Sequence, residues 1–392
     1  CEYAFLHRTY FYPEKIMNFT VVVILIYIIL ILYALIRTYM RMKRITGRKP
    51  VRAAVLLVLA LLSAMPLLGA FLPDCRIKYF FMAAGNIWFG FFVVFCAYLI
   101  VTDLLLLIRL KFSRRSRADL LPNRKSCLTV LCGAAVFSLV LNFIGNFHLS
   151  SITPVYYSTS VDKGIGNQIR IVLAADLHLS VNSTPDSTRK IVEKINEQDA
   201  DLVVIAGDLF TSTYDGLQNP QAYIKELQQI RSEYGVYFVY GNHDVKEDLF
   251  IGFSVSSPET AIRDERMTQF IEDCGFIILE DEYVRLPGKI TLAGRMDPSR
   301  PGIPGMQIKT PDELLSGCDR SDLIIVAEHE PDDYRELAEA GADIVLSGHI
   351  HNGQVFPGDL ILSKIKENSY GYKELYGMKT YVTAGAGFFG QP

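Results

Sequence analysis

The apolar positions along the chain follow two different patterns. Up to about residue 149, long apolar runs alternate with short basic stretches, and from about residue 168, short apolar runs alternate with polar loops and amphipathic segments. A helix needs about 20 mostly apolar residues to cross the core of a bilayer. Four runs meet that requirement almost without charge, which disfavours the alternative of buried core helices. They predict an all-α region of four transmembrane helices, at about 19–36, 53–72, 79–108 and 127–147.

The distribution of Lys and Arg predicts how these spans are oriented. Cytoplasmic loops of membrane proteins carry the excess of basic residues. The link between the second and third spans has only Arg76 and Lys78, with Asp74. The other two links are strongly basic, through Arg37, Arg41, Lys43, Arg44, Arg48, Lys49 and Arg52 in the first and Arg109, Lys111, Arg114, Arg115, Arg117, Arg124 and Lys125 in the second.

We therefore expect a multi-pass protein of the cytoplasmic (plasma) membrane, with both basic links inside the cell. The N-terminus, the short middle link and everything after Phe147 are then expected outside, which makes the C-terminal region extracytoplasmic. Because their position beside spans already explains the basic clusters, we expect no nucleic acid among the partners. The chain begins with Cys1, and Met17, directly before the first span, is a candidate start. The first span is expected to be retained rather than cleaved as a signal peptide.

The region after the spans has the pattern of an α/β domain. Apolar runs such as "IRIVLAADLHLS", "ADLVVIAGDLF", "GVYFVYGNHD", "SDLIIVAEHEP" and "ADIVLSGHIH" alternate with amphipathic helical segments, which predicts a parallel or mixed sheet. A polar, irregular stretch with Tyr156, Tyr157 and Gly164 precedes it. We therefore divide the chain into a membrane domain at 1–149, a linker at 150–167 and an α/β domain at 168–392.

Composition supports this division and adds little else. Half of the residues are hydrophobic and the mean hydropathy is +0.22, which is high for a soluble protein. The net charge of −3 carries little information because the charge is unevenly spread. Cys75, Cys96, Cys127 and Cys132 lie in or next to spans. Cys274 and Cys318 leave one possible disulfide in the α/β domain, and nothing indicates a zinc site built from cysteines.

Chemically active side chains recur at the ends of the predicted strands, where α/β sheets bind their ligands. The first strands are followed by Asp176 and His178, by Asp208, and by Asn242, His243 and Asp244; the later ones are followed by His329 and by His349 and His351. Each motif alone is typical of a solvated loop, a turn or a polar network. Together they bring five of the seven histidines to one edge of one sheet, which predicts a metal site.

The ordered series Asp-x-His, Gly-Asp, Gly-Asn-His-Asp, His and Gly-His-x-His resembles the calcineurin-like metallophosphoesterase family, over about Gln168 to Gly387. With four preceding spans, the whole chain is similar to the transmembrane metallophosphoesterases. The resemblance implies a four-layer α/β/β/α sandwich after the all-α transmembrane region. It also implies a site for two metals, one held by Asp176, His178 and His351, the other by Asn242, His329 and His349, with Asp208 bridging them. His243 would be the catalytic histidine and Asp244 its orienting partner.

The residue types agree with that assignment. Carboxylate, imidazole and amide ligands suit Mn, Fe or Zn, and a pair of such divalent ions clamps an in-line displacement at phosphorus. His349 and His351, two apart on an extended chain, would share a face and serve both metals. Gly348 would allow a close backbone approach. The segment "AGAGFFG", at 384–390, resembles one that closes the sheet in membrane-linked relatives, which usually continue beyond the position of Pro392.

Three charged residues near the predicted site have open interpretations. Arg295, after another strand, is a candidate substrate-binding residue that would hold a phosphate through a bidentate contact. A surface ion pair is an equally good interpretation of Arg295. Glu328 and Glu330 flank His329, and we expect both to be solvated loop residues.

These observations predict a membrane-anchored, dinuclear-metal phosphoesterase that cleaves a phosphodiester, pyrophosphate or phosphomonoester bond. A lipid-linked substrate is attractive because the spans hold the site near headgroups. Some relatives cleave the pyrophosphate of a UDP-diacylglucosamine lipid, although the cytoplasmic supply of that lipid conflicts with the predicted orientation. Two alternatives stay open: a broad nucleotide or phosphoprotein phosphatase, and a membrane sensor or scaffold that binds metal without turnover.

The orientation can be measured directly. A single cysteine introduced on the surface of the α/β domain should react with a membrane-impermeant maleimide in intact cells, because the basic links should hold that domain outside. A cysteine introduced in a basic link is the matched control and should react only after lysis. The reverse pattern would show that the domain faces the cytoplasm.

Overall fold

The computed structural model describes residues 13–113, 120–149, 151–163, 168–251, 253–255, 261–299, 302–303, 305–354 and 357–390. Arg114, Arg115 and Arg117 of the second basic link, and Gly164 of the predicted linker, lie outside the described residues. The chain divides into two compact units. A helical unit is built from Glu14–Ser150 and Leu249–Val255, and an α/β unit from Ser151–Asp248 and Ser256–Phe389.

Four long helices make up most of the helical unit: α1 (Pro13–Ile45), α2 (Lys49–Phe71), α3 (Arg76–Phe112) and α4 (Arg124–Leu149). All four are long and apolar enough to cross a membrane. The predicted spans are therefore confirmed as helices. Three of them extend beyond their predicted limits at both ends because the flanking polar residues continue the helix, whereas α2 begins four residues before its predicted start and ends one residue before its predicted end. A short hairpin of β4 (Leu249–Phe250) and β5 (Phe253–Ser254) completes the unit, and the ring of Phe250 packs 5.7 Å from that of Tyr27 in α1.

An ionic cluster joins α1 to α3. The carboxylate of Asp103 accepts hydrogen bonds from the guanidinium groups of Arg37 and Arg41, each at 2.5 Å, and from the hydroxyl of Tyr33 at 2.7 Å. A charge in an apolar span is costly unless it is paired. The arginines, which the sequence assigned to a cytoplasmic link, therefore also compensate the one acidic residue of the third span.

The α/β unit contains two sheets, formed by strands that alternate with helices. The first sheet is all parallel, in the order β1 (Ile171–Ala174), β2 (Leu202–Ala206), β3 (Val236–Val239) and β6 (Ile277–Ile278). The second has the order β11 (Gly371–Leu375), β12 (Met378–Val382), β10 (Ile344–Ser347), β9 (Leu323–Ala327), β8 (Ile290–Gly294) and β7 (Glu282–Leu286). Its four inner strands are parallel, and β7 and β11 run antiparallel at its edges.

Helices cover the outer face of each sheet. The first sheet carries α5 (Pro185–Asn196), α6 (Pro220–Leu227) and α7 (Glu265–Asp273), and the second carries α8 (Pro311–Leu315) and α9 (Tyr334–Ala340). A further helix, α10 (Gly358–Ile365), follows the last histidine motif. Helix α5 begins at Thr184, whose hydroxyl accepts a hydrogen bond from the backbone N–H of Ser187 while Pro185 occupies the first turn.

Strand β2 shows why the unit is layered. Val203 and Ile205 pack with the helices, whereas Leu202, Val204 and Ala206 pack against the second sheet. A strand buried on both faces has no polar alternation, and for this reason its sequence is a continuous apolar run. The predicted α/β class and the four-layer α/β/β/α sandwich are confirmed.

The possible disulfide is not formed. Cys274 and Cys318 are both free and buried. Cys274 belongs to the hydrophobic core under α5–α7 and Cys318 to the core under α8 and α9, so the two sheets separate their thiols.

Candidate metal centre

Three potential ligands meet at the end of β1. The ring nitrogens Nε2 of His178 and Nε2 of His351 are 2.9 Å apart, and the Nε2 of His351 lies 3.5 Å from Oδ1 of Asp176. These three side chains form one group that could hold a metal ion. Asp176 is fully buried, and His178 is nearly so. The structure therefore brings together the three residues that the sequence assigned to one metal.

A second group lies beside the first. The Nε2 of His329 is 3.1 Å from Oδ2 of Asp208 and 3.1 Å from Oδ1 of Asn242. The Nδ1 of His349 is 3.0 Å from the same amide oxygen and 3.2 Å from the Nε2 of His329. Asp208, His329 and His349 form the second group that could hold a metal, with Asn242 in contact with both histidines. The four residues have the positions expected for a second metal and its bridge.

Asp208 faces both groups. Its Oδ2 is 3.1 Å from the Nε2 of His329 and 3.8 Å from the Nε2 of His178. Its other oxygen, Oδ1, accepts a hydrogen bond from the backbone N–H of His243 at 2.8 Å. One oxygen is thus directed between the groups while the other anchors the loop after β3.

Hydrogen bonds on the far side of two rings determine which nitrogen is free to bind a cation. The Nδ1–H of His329 donates to the backbone carbonyl of Ala206 at 2.8 Å, which directs its Nε2 into the site. The Nδ1 of His178 lies 3.2 Å from the hydroxyl of Thr211, again leaving Nε2 for the site. Outer partners of this kind orient metal-binding histidines.

The electrostatics of the site favour cations. Burial and the neighbouring Asp208 carboxylate together raise the pKa of Asp176 to about 7, against the opposing effect of His329. Burial would also raise the pKa of Asp208, but the adjacent His329 and His243 hold it well below its usual range. Burial lowers the pKa of His178 well below its ordinary value and that of His351 to about 4, so both rings are neutral near pH 7. Neutral imidazoles beside buried carboxylates are the protonation states that metal binding requires.

The backbone at the site is strained. Asp176, His178, Asp208, His349 and His351 all have positive φ angles, between 48° and 71°. Non-glycine residues rarely adopt this left-handed conformation, which costs of order 1–3 kcal/mol each and persists where the surrounding fold enforces it. Such strain is concentrated at functional sites, and here five of the predicted ligands show it.

The two histidines of the Gly-His-x-His motif are positioned differently from the sequence prediction. Strand β10 ends at Ser347, so His349 and His351 lie in a turn, and each belongs to a different ligand group. Left-handed backbone, rather than the alternation of a strand, directs the two rings. The expectation for Gly348 is confirmed, because a Cβ there would lie 2.6 Å from Oδ2 of Asp176.

The carboxylate of Asp244 accepts hydrogen bonds from the backbone of two loops. Its Oδ2 accepts hydrogen bonds from the backbone N–H groups of Asp208 and Gly241, and its Oδ1 accepts one from Phe210, at 2.8–2.9 Å. Asp244 therefore clamps the loops after β2 and β3, and its role in orienting His243 stays a prediction. The ring of His243 instead contacts Ser212 and Glu247, which no motif in the sequence indicated.

Arg295 is part of a buried ionic cluster. It donates to Glu328 at 2.5 Å and to Asp333 at 3.0 Å, and all three residues are buried. This is the ion-pair interpretation, although the pair lies in the interior and not at the surface. A substrate contact for Arg295 stays a prediction that these contacts do not support. The expectation that Glu328 is solvated is wrong, while the partly buried Glu330 pairs with Lys366 at 3.0 Å.

The glycine-containing segment near residue 387 reaches the site. The backbone N–H of Gly387 donates to the carbonyl of Asp176, and a Cβ on Gly387 would lie 2.0 Å from the carbonyl oxygen of Leu177. The ring of Phe389 then stacks on His243, with centroids 4.5 Å apart, and lies 4.9 Å from the ring of His178. Sequence reasoning did not assign Phe389 to the site, and a lone aromatic residue carries no signal that would have done so.

The profile of the family described as calcineurin-like phosphoesterase matches residues 169–353. This chain carries a calcineurin-like metallophosphoesterase domain. It is 27% identical over 289 residues to an uncharacterized metallophosphoesterase of Helicobacter pylori (strain J99), covering 70% of each chain. It is 30% identical over 240 residues to the transmembrane protein with metallophosphoesterase domain of Danio rerio, covering 58% of this chain and 50% of that one.

These relatives define the class of the protein but not its substrate. The chain spans between half and 70% of the length of the relatives named here. Metallophosphoesterases are metal-dependent phosphoester hydrolases, and the two ligand groups fit that class. A solved nuclease, MPE of Pseudomonas putida, is also similar, at 16% identity over 46% of this chain and 62% of that chain, but its TM-score of 0.23 is too low to support a conclusion.

Metal uptake should depend on pH in a defined direction. Because burial and the Asp208 carboxylate raise the pKa of Asp176 to about 7, the metal-free carboxyl is protonated below that pH, and a cation must displace the proton. We expect the affinity of chelator-treated protein for Mn²⁺ to rise by about fivefold or more between pH 6 and pH 7. It should keep rising above pH 8, because His329, whose pKa Asp208 raises well above its usual value, must also lose its proton. Titration calorimetry measures this, with the exposed Asp186→Asn as control. An affinity that does not change from pH 6 to pH 8 would contradict the role of Asp176.

Proposed function

We propose that this metallophosphoesterase is a membrane-anchored enzyme that uses two divalent metals to hydrolyse a phosphodiester or pyrophosphate bond of a lipid-linked substrate. The observation that supports it most is the pair of ligand groups with Asp208 between them. In this proposal Asp176, His178 and His351 hold one metal. Asn242, His329 and His349 hold the other, and Asp208 bridges the two.

When bound, two cations at such a site would neutralise charge on the phosphoryl oxygens and lower the pKa of a water molecule. The residues of the chain supply the rest. The buried carboxylates and neutral histidines exclude bulk water and fix the position of the phosphoryl group. His243 belongs to neither ligand group, and its ring lies 5.8 Å from that of His178, with 14% of its side chain exposed. In this proposal it donates a proton to the oxygen of the leaving group as the ester bond breaks.

The helical unit supports a substrate that resides in the membrane. Four helices suited to cross a bilayer precede the α/β unit. Residues 244–248 alone separate His243 from Leu249–Val255, a segment that belongs to the helical unit. We infer a phosphoester in a lipid headgroup, hydrolysed on the outer face of the plasma membrane. The pyrophosphate of a UDP-diacylglucosamine lipid is one such bond, and it would require the opposite orientation.

A metal-binding sensor or scaffold without turnover is the second candidate. The ligand groups alone would satisfy it. Such a protein has no use for a histidine that lies beside the ligands, outside both groups, and stacked against an aromatic ring. The position of His243 therefore favours the enzyme.

Hydrolysis of two synthetic esters tests the proposal first. With Mn²⁺ the purified full-length protein should cleave bis-(p-nitrophenyl) phosphate, and chelation should abolish cleavage, because the site is expected to act on diesters through bound metal. Release of p-nitrophenol is the readout. Cleavage of p-nitrophenyl phosphate alone would favour the phosphatase alternative. Failure to cleave either ester, with two metals bound, would favour the sensor.

Replacing the histidine that we assign as the acid gives the second test. His243→Ala should lower the kcat for bis-(p-nitrophenyl) phosphate by about 10²–10⁴-fold, the usual contribution of general acid catalysis. Two bound metals should remain, because His243 is in neither ligand group. Metal content by mass spectrometry is the control. An unchanged kcat would remove His243 from the mechanism, and a loss of metal would make it a ligand.

A further inference from the structure

We propose that Glu247, acting with Ser212, positions the imidazole of His243 for proton donation. This inference rests on the proposed role of His243 and concerns residues outside the family motifs. Glu247 follows the Gly-Asn-His-Asp motif by three residues, and Ser212 lies in the loop after β2. Neither is a member of the two ligand groups.

Three side-chain contacts connect these residues. The Nδ1 of His243 lies 3.0 Å from the hydroxyl oxygen of Ser212 and 3.2 Å from Oε1 of Glu247. The Ser212 hydroxyl donates to the same Oε1 at 2.9 Å. A carboxylate only accepts hydrogen bonds, and the single hydroxyl proton of Ser212 is used on Glu247. With Glu247 ionised, Nδ1 therefore carries the proton in this arrangement, and Nε2 is the nitrogen that we assign to the leaving group.

The backbone holds this triangle together. The N–H of Ser212 donates to the carbonyl of His243 at 2.9 Å, and the N–H of Glu247 donates to the carbonyl of Ser212 at 3.1 Å. Ser212 has a φ of 55°, an unfavourable conformation for a residue with a side chain. Ser212 is also completely buried. Ser212 is strained and buried, and it hydrogen-bonds His243 and Glu247 through both its backbone and its side chain. These contacts indicate an arrangement that the fold enforces and not a chance contact.

The side chains of Glu247 and His243, which contact each other, differ sharply in burial. The side chain of Glu247 is 1% exposed and that of His243 is 14% exposed, so the carboxylate lies behind the ring and the ring opens toward the site. Phe389 stacks on the ring at 4.5 Å with the planes 27° apart. The backbone N–H of His243 is held by Asp208. The ring is thus restrained at its backbone, at Nδ1 and on one face.

This arrangement predicts how the rate of hydrolysis should depend on the leaving group. A carboxylate beside Nδ1 stabilises the protonated imidazole and keeps its Nε2–H directed at the leaving oxygen. The benefit grows with the basicity of the leaving group, because a poor leaving group needs its proton more. A residue that only maintained the fold would affect all leaving groups alike.

The test compares a diester with a good leaving group, bis-(p-nitrophenyl) phosphate, with diphenyl phosphate, whose phenolate is more basic. In the full-length Mn²⁺-loaded protein, Glu247→Gln should lower kcat for diphenyl phosphate by about 10–100-fold and for bis-(p-nitrophenyl) phosphate by about threefold or less, within the range for general acids. KM and metal content should not change. Ser212→Ala should show the same pattern with a smaller loss.

A double-mutant cycle separates positioning from stability. Combined with His243→Ala, Glu247→Gln should cause no further loss, because its effect passes through the ring. Asp322→Asn is the matched control: Asp322 is a fully buried carboxylate, paired with Arg285 at 2.7 Å, at the other end of β9 from His329. It should lower the melting temperature without changing the ratio of the two rates.

Each outcome decides between the proposals. Equal losses for both esters, or an additional loss in the double variant, would overturn the role of Glu247 and leave that of His243 intact. Wild-type rates for Glu247→Gln alongside a large loss for His243→Ala would do the same. Full activity of His243→Ala would overturn both, because Glu247 is proposed to act only through that ring.

Discussion

The α/β unit depends on two buried carboxylates that share one small volume. Asp176 is fully buried and Asp208 nearly so, and each raises the cost of ionising the other. Burying a charge is expensive unless an opposite charge compensates it. His178 and His351 are held neutral by burial, whereas the neighbouring Asp208 raises the pKa of His329 against the effect of burial. Divalent cations bound by the two ligand groups would supply the remaining positive charge.

That requirement explains the strain and the loop contacts around the site. Parallel strands bring their carboxyl ends to one edge, but the loops that follow them must turn sharply to direct several short side chains at one point. Left-handed backbone at five of the ligands provides the turns. Asp244 binds the backbone of both flanking loops, and Arg295 neutralises the carboxylates beneath His329. These residues do not touch the reacting atoms in the proposed mechanism, yet they hold in place the residues that do.

The helical unit also contains a carboxylate that needs a compensating charge, here in an apolar helix. Asp103 lies in the third long helix, where a lone charge would be costly, and it is paired with two arginines of the first helix. In both units a carboxylate is tolerated because an opposite charge is built in or bound. The difference is that the helical unit carries its compensating charge in the chain, whereas the α/β unit takes it from metal.

The sequence alone determined the features that depend on local chain properties. Hydropathy over about 20 residues predicted the four helices because spanning a bilayer is a property of one continuous segment. The apolar runs and the motifs after them predicted an α/β sheet with a metal site at one edge, because strand ends in parallel sheets converge whatever the loops do. The four-layer sandwich and the division of the ligands into two groups were implied by the resemblance to the calcineurin-like metallophosphoesterases. Tertiary structure alone decided which side chains surround these residues. The contact of Glu247 with His243, the stacking of Phe389, the buried pairs of Arg295 and the separation of Cys274 from Cys318 all join segments that are brought together only by packing, or depend on a loop conformation that no periodic pattern encodes.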